Sequence, residues 1–195
     1  MAIDYVNEVQ KLYVAYFGRP ADTDGLGFWT NQLQNNPNGY ELISTAFSTS
    51  PEYQQMYGGQ SNRDVVMDIY QNVFGRAGDA GGINFWTARL DAGDVTIGNA
   101  VVAMAQSALN ANNNDAFVFK ARVGVATAFT EHLDLPTEQS AYTGPAAMQI
   151  AIDYVAGVRD IMSAAQHMDP GQIDAAIARI VGTPTGMMSD VAFIG

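Results

Sequence analysis

The chain has 195 residues, 48% of them apolar, which is enough to bury a core and too much for a disordered segment. Twenty acidic side chains oppose nine basic ones, and the net charge of −11 disfavours nucleic-acid phosphates and anionic lipid as partners. Cysteine is absent and histidine occurs only at His132 and His167, which excludes disulfides, thiolate chemistry and Cys-based metal sites and leaves a multi-histidine site without ligands.

The first helix expected in chain order carries Val6, Val9, Leu12, Tyr13, Tyr16 and Phe17 at the spacing of a buried stripe. Gly18 stands where a left-handed residue ends a helix. Asp22 stands where the next helix starts, free to accept N–H groups of its first turn. That second helix aligns Leu26, Trp29 and Leu33, with Phe28 widening the stripe. A helix over Tyr40–Phe47 follows, then a short one opened by Ser50 as N-cap and Pro51 at the first helical position, running toward Tyr57.

The pattern then repeats. Residues 12–33, LYVAYFGRPADTDGLGFWTNQL, align with residues 69–90, IYQNVFGRAGDAGGINFWTARL, without a gap. The identical pairs include Tyr13/Tyr70, Phe17/Phe74, Gly18/Gly75, Arg19/Arg76, Asp22/Asp79, Gly25/Gly82, Phe28/Phe85 and Trp29/Trp86, and these are the only two tryptophans of the chain. Rare residues at matched positions indicate a duplication, with repeats over about 9–57 and 66–109. Gly75 ends and Asp79 begins a helix as in the first copy, and Trp86 is expected in the same buried setting as Trp29.

Thr96–Leu109 reads as an apolar helix. Asp115 is expected to cap a closing helix to about Leu133, with Phe119, Val123, Ala126 and Phe129 inward. A loop is expected from Leu135 to Gly144, one helix from Gly144-Pro145 to about Gln166, and a last one from Asp169-Pro170 to Gly182. No segment alternates with period two. The fold class is therefore all-α, a multi-helix bundle built on two helix–turn–helix repeats with additional C-terminal helices. The organisation expected is a duplicated helical domain over 1–133, a C-terminal helical pair over 145–182 packed on it, and a tail over 183–195. No apolar run reaches the ~18 residues of a membrane span.

The twice-present pattern Tyr-x3-Phe-Gly-Arg-x2-Asp-x2-Gly-x2-Phe-Trp resembles a helical domain of unknown function found in secreted bacterial proteins, among them surface-layer proteins, calcium-binding repeat-in-toxin adhesins and hydrolases exported by type I secretion. Its helix–turn–helix also looks like that of phycobilisome linker domains. The resemblance implies export to the cell surface and a role in anchoring there, by contact with an envelope glycan such as lipopolysaccharide or by self-association, and the net charge of −11, which must be screened for like molecules to pack, implies calcium as an assembly ion. An acidic, lysine-poor, cysteine-free chain whose first residues lack a basic-then-apolar leader fits one-step export, and it fits an acidic cytoplasmic protein as well. The glycine-aspartate nonapeptides of the exported relatives are absent, while Asp190–Gly195 has the acidic-then-apolar character of some type I export signals.

The candidate chemistry is sparse. Asp22 and Asp24 alternate as in a calcium loop, but the position of a bidentate glutamate falls on Leu33 and the second copy has Ala80 and Gly81 instead, which favours capping. Arg19 and Arg76 follow the helix-ending glycines, where a guanidinium can clamp carbonyls or a carboxylate, or meet an acidic glycan. The aromatic set of the two motifs reads as core, and Tyr53 and Tyr57 read as solvent-side. Met162, Met168 and the pair Met187-Met188 read as apolar filler. Neither histidine has a nucleophile in a strained turn near it, and no phosphate loop or dinucleotide glycine pattern is present. The reading is a non-enzymatic module of an exported surface protein, with an intracellular scaffold or linker module and a non-catalytic appendage of a secreted hydrolase as the alternatives.

Overall fold

The computed structural model describes residues 3–110 and 113–183. These form twelve helices and, among the described residues, no strand. The first repeat contains α1 (Tyr5–Phe17), α2 (Thr23–Asn35), α3 (Gly39–Ser48) and α4 (Pro51–Tyr57). The second contains α5 (Asn62–Phe74), α6 (Ala80–Asp91), α7 (Ile97–Asn110) and α8 (Asn114–Glu131). Four more follow, α9 (Pro136–Ala141), α10 (Gly144–Ala156), α11 (Ile161–His167) and α12 (Pro170–Val181).

The apolar stripes decide the packing. α1 and α5 lie side by side with α7 and α8, while α2 and α6 fold back on α1 and α5 respectively. Val9, Tyr13, Tyr16 and Phe17 of α1 meet Val66, Ile69 and Val73 of α5, Met104 of α7 and Phe119 of α8 in one continuous core. α8 is buried along most of its length and also supplies Phe129 to a second core with Tyr142 and the α12 residues Ile173, Ile177 and Ile180. Burying side chains of this size stabilises by roughly 1.5–3 kcal/mol each, which offsets the chain entropy of a multi-helix array.

Several boundaries differ from the sequence reading. The expected loop after Leu135 contains α9, with Pro136 at its first position and Glu138 Oε2 accepting the Leu135 N–H at 3.1 Å. The single helix expected to run to Gln166 is two helices, so the expected C-terminal pair is the trio α10, α11 and α12. Asp160 stops continuation by capping α11, where it accepts the Ser163 N–H at 2.8 Å while Ser163 Oγ accepts the Asp160 N–H at 2.9 Å. Asn113, not Asp115, caps α8. Asp115 occupies the second position of that helix instead, a place that proves to matter below. Asp190–Gly195 and nearly all of the expected tail lie outside the described residues.

Candidate functional site

The turn joining the first two helices of each repeat brings together the invariant residues of the motif. Gly18 and Gly75 take φ of 67° and 68°, the left-handed region that glycine adopts without steric cost. Their N–H groups close on Val14 O and Gln71 O at 2.9 and 3.0 Å. Asp22 Oδ1 accepts the Gly25 N–H at 2.7 Å, and Asp79 Oδ1 accepts the Gly82 N–H at 2.8 Å. Both are the N-caps expected from the sequence. The bonds from Gly82 and from its own backbone hold the Asp79 carboxyl below its usual range.

Each following arginine forms a two-pronged clasp with a carboxylate from a later helix. Arg19 Nε and Nη2 meet Glu52 Oε1 and Oε2, both at 2.6 Å, and Nη1 donates to Pro20 O at 2.8 Å. Arg76 Nε and Nη2 meet Asp115 Oδ1 and Oδ2 at 2.9 and 2.7 Å, and Nη1 donates to Ala77 O at 3.0 Å. Glu52 and Asp115 are each the second residue of their helix, α4 and α8. The duplication therefore includes the partner carboxylate, where the chain-order offset has slipped because α7 and the connections flanking it are longer than α3 and its connections. A planar guanidinium fits a carboxylate in this way and an ammonium does not.

The two clasps differ in their surroundings. The Arg19 side chain is 4% exposed and that of Arg76 is 46% exposed. In the first repeat Thr130 Oγ1 donates to Ala21 O at 2.7 Å, Gln10 Oε1 accepts the Ala21 N–H at 3.1 Å, and Tyr142 Oη donates to Pro20 O at 2.8 Å. The Tyr142 ring lies 5.7 Å from the Arg19 guanidinium, and the Tyr13 ring 5.1 Å. The second repeat keeps the ring of Phe74, 5.6 Å from the Arg76 guanidinium, but no described residue covers Ala77 as Tyr142 covers Pro20.

A further invariant pair was visible in the sequence but not interpretable there. A methyl group placed on Gly25 would overlap the Tyr13 hydroxyl, and one on Gly82 would overlap the Tyr70 hydroxyl. The tyrosine of the first helix thus reaches through the space that a side chain on the second would fill. Burial of the Tyr13 ring, with Asp22 nearby, raises its ionisation well above the ordinary value.

The tryptophans are equivalent but half-buried, not fully buried as expected. Phe28 and Phe85, expected to widen the inner stripe, are 55% and 53% exposed. At about 100° per residue each lies off the Leu–Trp–Leu or Ile–Trp–Leu line. Each still packs edge-on against its tryptophan, with centroids 4.8 and 5.1 Å apart. Tyr53 and Tyr57, expected on the solvent side, are buried, and Tyr57 Oη donates to Tyr16 O at 2.9 Å. Met162 and Met168 are exposed and not core filler, because the short α11 turns its inner face, marked by Ala164, toward α8.

Arg122 was missed by the sequence reading, which had placed its neighbour Val123 in the core. It is buried, and among the described residues no carboxylate pairs with it. Its guanidinium donates to Gln71 O, to Asn72 O at 2.9 Å, to Val158 O at 3.0 Å and to Ala156 O at 3.1 Å. It thus caps the C-terminal ends of α5 and α10 together, where the helix dipoles favour a cation. Burial, then the like charge of Arg159, lowers its ionisation to about 10. The signal available in the sequence was an arginine flanked by inward positions Phe119, Val123 and Ala126 on one helix.

For catalysis or metal binding the geometry offers little. Asp24 is exposed at the second position of α2, and Asp22 is occupied as a cap. No group of three or more His, Asp or Glu side chains placed to hold a metal ion occurs among the described residues. His132 Nδ1 lies 2.7 Å from Asp174 Oδ1, and His167 Nδ1 lies 2.8 Å from Ser163 O. A groove of about 420 Å³ between α4 and α10 is lined by Pro51, Glu52, Met56, Pro145, Met148 and Ile152, and its carboxylate is the one bound by Arg19. No described helix is long and apolar enough to cross a membrane.

With the second motif so placed, comparison with known families can be read against the structure. Residues 44–114 match a domain of unknown function (DUF4214). The matched segment runs from within α3 through α7 to the first residue of α8, and so contains the whole second copy of the motif with Arg76, Asp79 and Trp86. Neither the curated proteins nor the solved structures give a match to the chain.

Proposed function

We propose that the chain is a non-enzymatic helical module of an exported bacterial surface-layer or adhesin-like protein, which anchors to the cell envelope through lipopolysaccharide or another glycan, assembles laterally with calcium, or does both. The non-enzymatic part rests on one observation. The charged side chains of the repeated motif, Arg19, Asp22, Arg76 and Asp79, are all engaged within the protein and serve its architecture. The surface part is supported by the resemblance of the motif and by an acidic, cysteine-free composition. Like molecules of charge −11 repel, so side-by-side packing needs screening, and calcium bridging carboxylates of neighbouring molecules supplies it.

The test is binding of the purified protein to envelope material from its own source, with and without calcium. The expected outcome is calcium-dependent binding that is lost when the glycan is removed and poorly supported by magnesium, which demands a tighter octahedron and dehydrates reluctantly. Calcium-dependent oligomers in light scattering without glycan would favour lateral assembly alone. A protein that stays monomeric with calcium, ignores the envelope and fractionates with the cytoplasm overturns the reading in favour of an intracellular scaffold or linker. Activity on a polymer substrate would overturn the non-enzymatic part.

A further inference from the structure

The same turn, Gly-Arg-x2-Asp, occurs once covered and once open. Around Arg19 the cover is a segment of the chain itself, in which Tyr142 is the C-cap of α9 and Gly144-Pro145 opens α10. Tyr142 lays its ring beside the guanidinium and donates its hydroxyl to the carbonyl of the residue after the arginine. Around Arg76 the features that Tyr142 contacts at the first turn are present. The guanidinium is held flat by a bidentate carboxylate, Ala77 O corresponds to Pro20 O and among the described residues accepts only the arginine's own Nη1, and an aromatic ring, Phe74, floors the guanidinium. The rim is also less acidic, because Thr23 and Asp24, which line the Tyr142 side of the first turn, are replaced by Ala80 and Gly81.

We propose that the Gly75–Asp79 turn is a docking site for a polypeptide segment that presents a tyrosine, with its ring over the Arg76 guanidinium and its hydroxyl donating to Ala77 O. The chemistry of the occupant is taken from the first repeat, where the covering segment is known residue by residue. A guanidinium fixed by a carboxylate is a prepaid platform for an aromatic face, and a carbonyl with a spare lone pair selects a hydroxyl over a plain ring. The second copy lacks a counterpart to Phe129, whose ring lies 5.8 Å from that of Tyr142, so the external contact is weaker than the internal one. This inference does not depend on where the protein resides or on calcium.

The probe is a peptide of residues 134–148, DLPTEQSAYTGPAAM, added to the isotope-labelled full chain. The Arg19 turn is closed to it by the tethered Tyr142, whose effective concentration is in the millimolar range (~mM). The expected result is saturable amide shifts at Arg76, Ala77 and Gly78 and none at Arg19–Ala21. A Tyr142→Phe peptide should bind about fivefold more weakly, the equivalent of one hydrogen bond. Arg76→Lys in the protein should weaken binding at least about tenfold, since an ammonium provides neither fork nor flat face. The proposal is overturned by an absence of saturable shifts, by shifts confined to the Arg19 turn, or by equal affinity of the tyrosine and phenylalanine peptides. The peptide series is read on the unaltered protein, so the outcome stands even if Arg76→Lys perturbs folding.

Discussion

Replacing Arg19 and Arg76 separately by alanine compares one motif residue in two tertiary settings within a single molecule. Arg19→Ala leaves Glu52 without its fork, Pro20 O without a donor from the arginine, and a cavity among Tyr13, Phe17 and Tyr142. Breaking a buried pair costs about 3–5 kcal/mol, and because the Glu52 side chain keeps 28% of its exposure the lower end, about 3 kcal/mol, is expected. Arg76→Ala removes a pair whose arginine is half in water, a loss of about 0.5–1 kcal/mol. Urea unfolding followed by far-UV circular dichroism reads both, and the larger loss corresponds to a fall in Tm of roughly 6–12 °C. The cycle of Arg19→Ala with Glu52→Ala should return a coupling of about 2 kcal/mol. Equal losses at Arg19 and Arg76 with unchanged m-values would refute the reasoning, because burial would then not be what separates the two clasps.

The remaining expectations concern the same turns and the core. Gly25→Ala and Gly82→Ala should each destabilise by about 1–3 kcal/mol, and Tyr13→Phe should recover part of the loss at Gly25, whereas an additive double variant would show that the hydroxyl is not the obstacle. Asp79→Ala should lower the midpoint of the same urea titration and Asp79→Asn much less, and equal losses would contradict capping. Alkaline stability should fall, because burial pushes the phenols of Tyr16 and Tyr142 up to about 12 against about 10 in the unfolded chain. Their contribution is complete below pH ~10 and is lost as pH rises toward ~12, about 0.8 kcal/mol per tyrosine already at pH ~10.5. Burial raises Tyr13, Tyr53, Tyr57 and Tyr154 as well, so the single opposing contribution of Arg122, lowered in the fold, is outweighed and a net fall is expected. A urea midpoint that stays level or rises between pH ~8.5 and ~10.5 would contradict that balance of signs.

Local rules carried much of the architecture. The left-handed glycines, the Asp22 and Asp79 caps, the Ser50-Pro51 start and the inner stripe of α1 from Val9 to Phe17 depend on residues within one or two turns of one another, so spacing along the chain suffices to place them; Val6, expected in that stripe, is exposed in the first turn of the helix, where the packing has not yet closed over it. The duplication was legible for the same reason, since two copies of one local device look alike in sequence. The exposed Phe28 and Phe85 were misread where hydrophobicity was allowed to outweigh helical angle, and α9 and the break before α11 were missed because short capped turns lack a periodic stripe.

What the sequence alone could not contain is the difference between identical motifs. Arg19 and Arg76 share the preceding Phe-Gly and the aspartate three residues on, yet one is inside and the other at the surface, because α8 ends beside the first turn and Tyr142 folds back over it. The partner carboxylates Glu52 and Asp115, and the placing of Arg122 where α5 and α10 end together, join residues tens of positions apart. Such pairings depend on which helices come to lie side by side, and that follows from burying all the stripes at once. No single stripe specifies it.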